Sequence, residues 1–246
     1  MSKSERSPLG PVPVEGQTVL ITGAAQGLGA AIARNFHALG ARLILLDRDE
    51  EGLEETGNAC PGATCGVVDL SDAEATERAL NRVVRSPVDT LIHNAAILKV
   101  QPLDQVSLET FRATLTVGIQ AAFQLTKAVW NGMKDRGGTL VYVSSRSGVE
   151  GFKDETAYCA AKHALEGFSK CVAMEGEAHG VLSVTITPGM YMHTPMSETT
   201  YGQEAREKWV DPILLAPAFS YLATRPLRLS GQRLDAWALA QKEATA

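Results

Sequence analysis

The stretch Thr22-Gly23-Ala24-Ala25-Gln26-Gly27-Leu28-Gly29 (TGAAQGLG) decides the fold predicted for this chain. It joins a short apolar run, 17–22 (QTVLIT), to a segment of helical period, 27–39. Such a turn needs glycine because a Cβ would keep the backbone away from a phosphate group. The N-terminus of the next helix adds unpaired N–H groups and a partial positive charge. The turn therefore predicts a pyrophosphate site formed by Gly23, Gln26, Gly27, Leu28 and Gly29.

Apolar runs of strand length alternate with helical segments along the rest of the chain. The runs are continuous and rich in β-branched residues or leucine, which is typical of parallel strands covered on both faces. This order predicts one α/β domain, residues 16–246, built on a doubly wound, Rossmann-like parallel sheet of about seven strands with helices on both faces. Residues 1–15 are polar and proline-rich, which predicts a flexible tail. The predicted strands are 17–22, 41–47, 64–69, 89–94, 139–145, 182–187 and 231–236.

Four of the helices after the first can be placed from capping signals and spacing. Ser71 and Glu74 predict a capping box for a helix that runs towards Arg85. Ser107 predicts the cap of a long helix that reaches about Met133. Two more helices are predicted at 155–175 and around 211–223. The inward positions of the long helix are predicted to include Phe111, Leu115, Ala122 and Val129.

Composition excludes several classes of protein. The 246 residues carry 23 basic and 28 acidic side chains, a formal net charge of -5, so neither nucleic acid nor an anionic membrane is an expected partner. The four cysteines form no C-x-x-C pair and no histidine cluster accompanies them, so no metal site is expected. No run approaches the roughly 18 apolar residues of a membrane span, and no signal peptide is evident. We expect a cytoplasmic protein with reduced thiols.

An acidic residue at the end of the second predicted strand bears on the choice of cofactor. Asp47 lies about 20 residues past the glycine-rich turn, where a carboxylate can accept hydrogen bonds from the adenosine ribose. A carboxylate there also repels a 2′-phosphate, which favours NAD over NADP. Arg48 follows directly and can weaken that repulsion, but the turn itself contains Gln26 and no Lys or Arg. The sequence therefore predicts NAD, with NADP as the alternative.

A serine, a tyrosine and a lysine form the predicted catalytic group. Tyr158 and Lys162 are four residues apart, so on a helix they share one face. A tyrosine of ordinary pKa, about 10, is a poor acid or base at neutral pH, and a nearby cation makes it usable because the cation stabilises the phenolate. Ser145 ends a predicted strand and therefore lies at the same edge of the sheet as the glycine-rich turn.

In this combination and order the motifs resemble those of the classical short-chain dehydrogenase/reductase family over about residues 15–236. Thr22–Gly29 matches T-G-x-x-x-G-x-G, Asp69-Leu70 matches the adenine-contacting site, His93-Asn94-Ala95-Ala96 matches N-N-A-G, and Pro188-Gly189 matches the P-G after the sixth strand. The resemblance implies hydride transfer between NAD(H) and a secondary alcohol or ketone. It also implies that Tyr158 exchanges a proton with the substrate oxygen, that Ser145 hydrogen-bonds this oxygen, and that Lys162 binds the nicotinamide ribose. The further cofactor contacts implied are Asp47, Arg48, Asp69, Leu70, Asn94, Ala95, Pro188, Gly189 and Tyr191.

The sequence departs from the family pattern at two places. Gly118, in Val117-Gly118-Ile119-Gln120, stands where the family has a catalytic Asn whose side chain supports a bend in the helix. Glycine keeps the carbonyl but weakens the helix, so the alternative is an NAD-binding regulatory or weakly active protein with an impaired proton relay. A lyase, dehydratase or epimerase on the same sheet is less consistent with the chain, which has no larger C-terminal substrate domain. The second departure is the segment between Gly189 and Thr194, which is one residue longer than usual.

Substrate and assembly are less defined by the sequence. Arg146, Lys99 and His193 are candidates to bind an anionic substrate, with solvent exposure or pairing to Glu150, Asp154 or Glu155 as the alternative. The Met190–Met196 segment suits an apolar substrate, although packing explains it equally well. The long helices at about 107–133 and 155–175 carry more apolar and small residues than one core face needs. The resemblance implies that they form an interface in a homodimer or homotetramer.

Overall fold

The described part of the chain folds around one parallel sheet. The computed structural model describes residues 12–200 and 203–243, and its seven strands lie in the order β3-β2-β1-β4-β5-β6-β7. The prediction of a doubly wound, Rossmann-like sheet is confirmed, and each predicted strand bound lies within two residues of the observed one. The strands are β1 Thr18–Thr22, β2 Arg42–Asp47, β3 Thr64–Val67, β4 Thr90–His93, β5 Gly138–Val143, β6 Val181–Thr187 and β7 Arg233–Asp235.

Helices cover both faces of the sheet because side chains of each strand point alternately to the two faces. Val19 and Ile21 of β1 belong to one core cluster, together with residues of α1 and α8, whereas Leu20 belongs to the other, together with residues of α3, α5 and α6. The α-helices are α1 Gly27–Ala38, α2 Glu50–Ala59, α3 Ala73–Val83, α4 Leu108–Leu115, α5 Ala121–Arg136, α6 Thr156–Gly176, α7 Pro195–Thr200, α8 Ala216–Ala223 and α9 Ala236–Glu243.

The strand order places a crevice beside the glycine-rich turn. The chain adds β2 on one side of β1 and later adds β4 on the other side. The direction in which successive strands are added to the sheet therefore reverses between β1 and β4. In open α/β sheets a ligand binds outside the carboxyl ends of the strands at such a switch point. Thr22 and His93, the last residues of β1 and β4, are paired in register at that edge.

The long predicted helix is interrupted by a π-helix. Its cap is confirmed, because the Ser107 side chain accepts a hydrogen bond from the N–H of Thr110 at 3.0 Å. Between α4 and α5, Thr116–Gln120 forms a π-helix, and the helical run ends at Arg136 rather than Met133. Of its predicted inward positions Ala122 and Val129 are buried, whereas Phe111 and Leu115 are half-buried.

The predicted capping box at Ser71 is wrong. The N-cap of α3 is Asp72, whose Oδ1 accepts a hydrogen bond from the N–H of Ala75 at 2.9 Å. The N–H of Ser71 instead donates to Asp69 Oδ1 at 2.8 Å, which commits Ser71 to the turn before the helix. Aspartate and serine are equally good caps, so the competing carboxylate of Asp69 decides the start.

Of the predicted tail, 1–15, the structure describes only residues 12–15. Residues 1–11 lie outside the described part, but residues 12–15 are attached to the domain. The N–H of Val12 donates to the carbonyl of Thr224 at 3.0 Å, and Gln17 Nε2 donates to the carbonyl of Pro13 at 2.9 Å. Val14 also packs against the core, so apolar burial extends the domain N-terminally. Within the described residues no helix is both long and apolar enough to cross a membrane.

Candidate active site

A cleft of about 230 Å³ opens at the carboxyl edge of the sheet. It brings the glycine-rich turn together with the ends of β2, β4 and β5 and with the first turn of α6. The described residues contain no group of three or more His, Cys, Asp or Glu side chains arranged to hold a metal ion. The lining is Gly23, Gln26, Gly27, Leu28, Asp47, Arg48, Val68, Asp69, Leu70, Asn94, Ala95, Ala96, Ile97, Val117, Val143, Ser144, Tyr158, Lys162, Pro188, Met192, Thr194, Pro195 and Met196.

The glycine-rich turn has no room for side chains at two of its glycines. A Cβ at Gly29 would lie 1.9 Å from the carbonyl oxygen of Gly23, so Gly29 permits the turn to pack on its own helix. Gly23 has φ +66°, and a Cβ there would lie 2.8 Å from Asn94 Nδ2. Asn94 Nδ2 donates to the Gly23 carbonyl at 3.0 Å and thereby fixes the turn to β4. This close-packed turn, open to the cleft at Gly23 and Gly27, fits a dinucleotide pyrophosphate.

Asp47 lies at the end of β2 with its carboxylate held by backbone donors. Its Oδ2 accepts from the N–H of Ala25 at 3.0 Å, and its Oδ1 accepts from the N–H groups of Arg48 at 2.7 Å and Asp49 at 3.1 Å. These bonds fix the carboxylate beside the glycine-rich turn. Asp69 also lines the cleft, and although burial acts to raise its pKa, hydrogen bonds from Ser71 and the nearby Arg48 lower this pKa below its usual value.

Tyr158 and Lys162 lie on α6 and both line the cleft. Lys162 Nζ is 5.4 Å from the centroid of the Tyr158 ring, as the four-residue spacing predicts. The lysine is 2% exposed, and its Nζ donates to the carbonyl of Val143 at 2.6 Å. Burial lowers the pKa of Lys162 to about 8, against the opposing effect of the Glu166 carboxylate. Lys162 is therefore a buried ammonium group whose pKa lies near neutral pH, and it is close to the Tyr158 phenol.

The third predicted catalytic residue, Ser145, does not line the cleft, whereas its neighbour Ser144 does. Ser145 is half-buried, and its Oγ accepts from the N–H of Ser147 at 3.2 Å at the start of a short 3₁₀ helix. The Ser144 hydroxyl donates to Glu166 Oε1 at 2.5 Å and so faces α6. The structure thus brings Tyr158 and Lys162 together in the cleft and leaves the Ser145 hydroxyl in a local capping bond.

Beneath this strand end lies a charged network that sequence reasoning missed. Glu166 is 7% exposed, and its Oε2 accepts from the Thr185 hydroxyl at 2.7 Å. Arg233 Nε lies 3.3 Å from Glu166 Oε1, and Arg233 Nη2 donates to the Ser145 carbonyl at 3.1 Å. Glu166 is four residues beyond Lys162, so helical spacing was a usable signal. Arg233 comes from the last strand, 67 residues further on, and no local pattern marks it.

The segment after β6 covers the glycine-rich turn. A Cβ at Gly27 would lie 3.2 Å from Thr194 Cγ2, so the Thr194 methyl group approaches the turn directly. Thr194 is buried, and its Oγ1 accepts from the N–H of Ser197 at 3.1 Å. Met192 and Met196 line the cleft beside it. Of the predicted cofactor contacts in this segment, Pro188 lines the cleft, whereas Gly189 and Tyr191 are exposed and do not.

The three candidates for binding an anionic substrate lie outside the cleft lining. Arg146 Nη2 pairs with Glu150 Oε2 at 2.9 Å, and His193 Nε2 pairs with Glu198 Oε1 at 2.7 Å. Lys99 is exposed. The pairing of Arg146 with Glu150 was the alternative expected from the sequence, and it satisfies the arginine one helical turn away. The structure therefore does not assemble a positive pocket from these side chains.

Comparisons with known proteins agree with this architecture. The family model of the short chain dehydrogenases matches residues 17–205. L-xylulose reductase of Bos taurus is 35% identical over 195 residues, 78% of this chain and 79% of that protein. D-threitol dehydrogenase of Mycolicibacterium smegmatis is 31% identical over 183 residues, 71% and 70% of the two chains.

A solved structure carries the same fold with a nicotinamide dinucleotide. A candidate short chain dehydrogenase from Shigella flexneri, solved in complex with NADP, superposes with a TM-score of 0.81 at 27% identity and covers 91% of this chain and 98% of its own. The family model spans more than half of the chain, and the glycine-rich turn and the Tyr158–Lys162 pair lie in one cleft. This chain therefore belongs to the short-chain dehydrogenase/reductase family of oxidoreductases.

Proposed function

We propose that the protein transfers a hydride between NAD(H) and a secondary alcohol or ketone. The observation that carries this proposal is the placement of Tyr158 and Lys162 in the cleft that the glycine-rich turn also lines. Bound NAD(H) supplies the hydride acceptor or donor. The relatives named above are a reductase and a dehydrogenase of polyhydroxylated compounds, which supports a substrate carrying a CH–OH or C=O group.

The chain's own residues supply the proton chemistry and the binding. Tyr158 gives a proton to the substrate oxygen during reduction and takes one during oxidation. Lys162 favours the phenolate because its ammonium lies 5.4 Å from the centre of that ring. With a pKa of about 8, Lys162 is mostly protonated at neutral pH. Ser145 is proposed to donate a hydrogen bond to the substrate oxygen, which requires its proton to leave the 3.3 Å bond to the Ser147 hydroxyl, while its oxygen can keep accepting from the Ser147 N–H.

Removal of one hydroxyl tests the catalytic assignment. We expect Tyr158→Phe to lower kcat by about 100-fold or more in a panel of small ketones, ketoses and alcohols, because proton transfer is lost while the ring remains. The dissociation constant of NADH, followed by nicotinamide fluorescence, should change little. Tyr221→Phe is the matched control, since the Tyr221 hydroxyl only accepts a surface bond from Arg228 and does not line the cleft. Retention of a tenth of the wild-type kcat by Tyr158→Phe would refute the assignment.

We propose NAD rather than NADP on the position of Asp47. Its carboxylate is held by three backbone donors beside the glycine-rich turn, where it favours ribose hydroxyls over a 2′-phosphate. Two observations favour NADP instead: Arg48 lines the same cleft, and the Shigella flexneri structure was solved with NADP. The two cofactors differ by one phosphate, so kinetics with each of them separates the possibilities.

Asp47→Ala tests the cofactor choice. We expect the ratio of kcat/KM for NADPH to kcat/KM for NADH to rise about tenfold or more, because a repulsive charge is removed. Asp49→Ala removes the same charge from the same loop at a residue that does not line this cleft, so its ratio should change less than about threefold. A wild-type preference for NADPH, or equal shifts in the two variants, would overturn the choice of NAD.

The oligomeric state and the cellular compartment of the protein are also proposed. We propose a homodimer or homotetramer, supported by exposed apolar side chains on the long helices: Leu108, Phe123 and Met174 are 60%, 50% and 78% exposed. Light scattering from 1 to 100 μM protein tests it, and a monomer throughout would exclude it. Action in the cytoplasm is supported by the four cysteines, all of them free thiols.

A further inference from the structure

A buried histidine lies beneath the cleft without belonging to its lining. His93 ends β4 and is 1% exposed. Its Nδ1 is 2.9 Å from the Thr22 hydroxyl, in the glycine-rich turn. Its Nε2 is 3.0 Å from the carbonyl oxygen of Val117 and 3.3 Å from that of Gly118, both in the π-helix. The imidazole therefore joins the cofactor turn to the helix that lacks the family's Asn.

These partners determine which nitrogen carries the proton. A carbonyl can only accept, so Nε2 must donate to Val117 and Gly118. The Thr22 oxygen already accepts from the N–H groups of Asn94 at 3.1 Å and Ala95 at 3.2 Å. Its own proton therefore goes to Nδ1, so that both ring nitrogens and the Thr22 hydroxyl are hydrogen-bonded while the ring is neutral. Burial and the Lys162 ammonium lower the pKa of His93 to about 4, in agreement with that state.

Gly118 closes the other side of this arrangement. A Cβ at Gly118 would lie 2.8 Å from Ala161 Cβ, so any side chain there would force the π-helix and α6 to shift apart. Ala161 directly precedes Lys162 on that helix. The bend that the family's Asn supports is therefore present here without an Asn, and the π-helix carbonyls are held from β4 instead.

We propose that His93 is a positioning residue for the redox reaction, and that its imidazole replaces the missing side chain at position 118 by holding the π-helix against the helix of Tyr158 and Lys162. The inference rests on the proposed function because its kinetic test needs turnover. It accounts for how the π-helix can be held in place although Gly118 has no side chain. A histidine that merely fills the core would affect folding without separating kcat from cofactor binding.

Three substitutions test the positioning role. We expect His93→Leu to lower kcat about 30-fold in folded protein, while the dissociation constant of NADH changes less than about threefold, because the π-helix loses its donor and the cofactor cleft keeps its lining. His93→Gln retains an amide donor and should recover kcat to within about fivefold of wild type. Tyr142→Phe is the matched control: it removes a buried 2.7 Å bond to Thr126 from the neighbouring strand and should leave kcat within about twofold.

The contrary outcomes are distinct from failure of the proposed function. Equal losses of kcat in His93→Gln and His93→Leu, or an unchanged kcat in folded His93→Leu, would overturn the positioning role. Nitrogen-15 NMR of the imidazole, assigned by its absence in His93→Gln, gives a readout without turnover. We expect the neutral ring protonated at Nε2 at pH 6, and an Nδ1–H ring or an imidazolium would also overturn the inference. A wild type without turnover would instead refute the proposed function.

Discussion

Two polar networks lie close enough to Lys162 to interact with its charge, and they themselves differ in charge. The first runs from Thr22 through His93 to the π-helix and contains no charged group. The second joins Ser144, Thr185 and Arg233 through the carboxylate of Glu166. Burial lowers the pKa of both Lys162 and His93; the Glu166 carboxylate opposes this effect at Lys162, whereas the Lys162 ammonium adds to it at His93. A buried lysine is thus kept charged by one neighbour and keeps the other neighbour neutral.

The difference shows how a buried cation can remain usable. A carboxylate within the same helix compensates part of the cost of burial. A second basic group nearby would add repulsion, and the histidine avoids it because its partners require a neutral ring. We therefore expect the two networks to respond differently to loss of charge and to pH.

The largest expected effect comes from breaking the charged network. Glu166→Ala leaves Arg233 without its counter-ion and two buried hydroxyls without an acceptor, so the free energy of unfolding should fall by about 4 kcal/mol. Urea denaturation at pH 7 measures it. Glu74→Ala is the control, because the Arg78–Glu74 pair is 67% and 88% exposed and should contribute less than about 0.5 kcal/mol. A loss below about 1 kcal/mol in Glu166→Ala would show that the network is not stabilising.

The neutral network should show itself through pH. The pKa of His93 is about 4 in the folded chain against an ordinary 6.5, so between these values the unfolded chain binds a proton that the folded chain does not. The contribution of His93 to the free energy of unfolding is fully present above pH 6.5, and it falls by about 3 kcal/mol as the pH drops to 4. His93→Gln should lack this component, whereas His163→Gln, at an exposed site, should retain it. The free energy of unfolding, measured from pH 7 to 4, tests this expectation. It would be contradicted if this free energy fell equally with pH in wild type and in His93→Gln.

The smallest effect tests the contact between the π-helix and α6. Gly118→Ala places a methyl group within 2.8 Å of Ala161 Cβ. We expect the free energy of unfolding to fall by about 1 kcal/mol, because the steric contact outweighs the gain in helix propensity. Gly167→Ala is the matched control on α6, where a Cβ meets nothing within 4 Å, and should stabilise by up to about 1 kcal/mol. The double variant Gly118→Ala with Ala161→Gly should lose less of the free energy of unfolding than Gly118→Ala alone, beyond the helix-propensity cost of Ala161→Gly, if steric contact is the cause; urea denaturation measures it. Equal effects in the two glycine variants would argue against close packing at position 118.

The sequence predicted the features that depend on local pattern. Continuous apolar runs and the glycine-rich turn identified the strands and their parallel order, because both follow from short-range chemistry. The spacing of Tyr158 and Lys162 placed both on one face of α6, where they line the cleft. Competition between neighbouring groups was less predictable: Asp72 rather than Ser71 caps α3. Helix α2 was not assigned, since its few apolar residues give a weak period.

The partners of buried polar groups could not be predicted because they come from distant parts of the chain. Arg233 reaches Glu166 and the Ser145 carbonyl from the last strand. His93 meets Gly118 only because β4 and the π-helix pack together. Conversely, Arg146 and His193, which were candidates to bind an anionic substrate, pair with acidic side chains close to them in sequence, Glu150 and Glu198. A sequence motif identifies which side chain is important, but the tertiary fold determines which group that side chain contacts.

The π-helix also bears on how this chain tolerates insertions and deletions. A π turn holds roughly one residue more than an α turn, so it offsets the residues on either side of it by about 100° around the helix axis. Deletion of one residue within Thr116–Gln120 would leave a regular α-helix in which α4 and α5 keep their relative orientation, because five π residues turn through about the same angle as four α residues. The π-helix thus accommodates one residue much as a surface loop does, whereas one residue added to the regular turns of α5 would rotate a core face by about 100°.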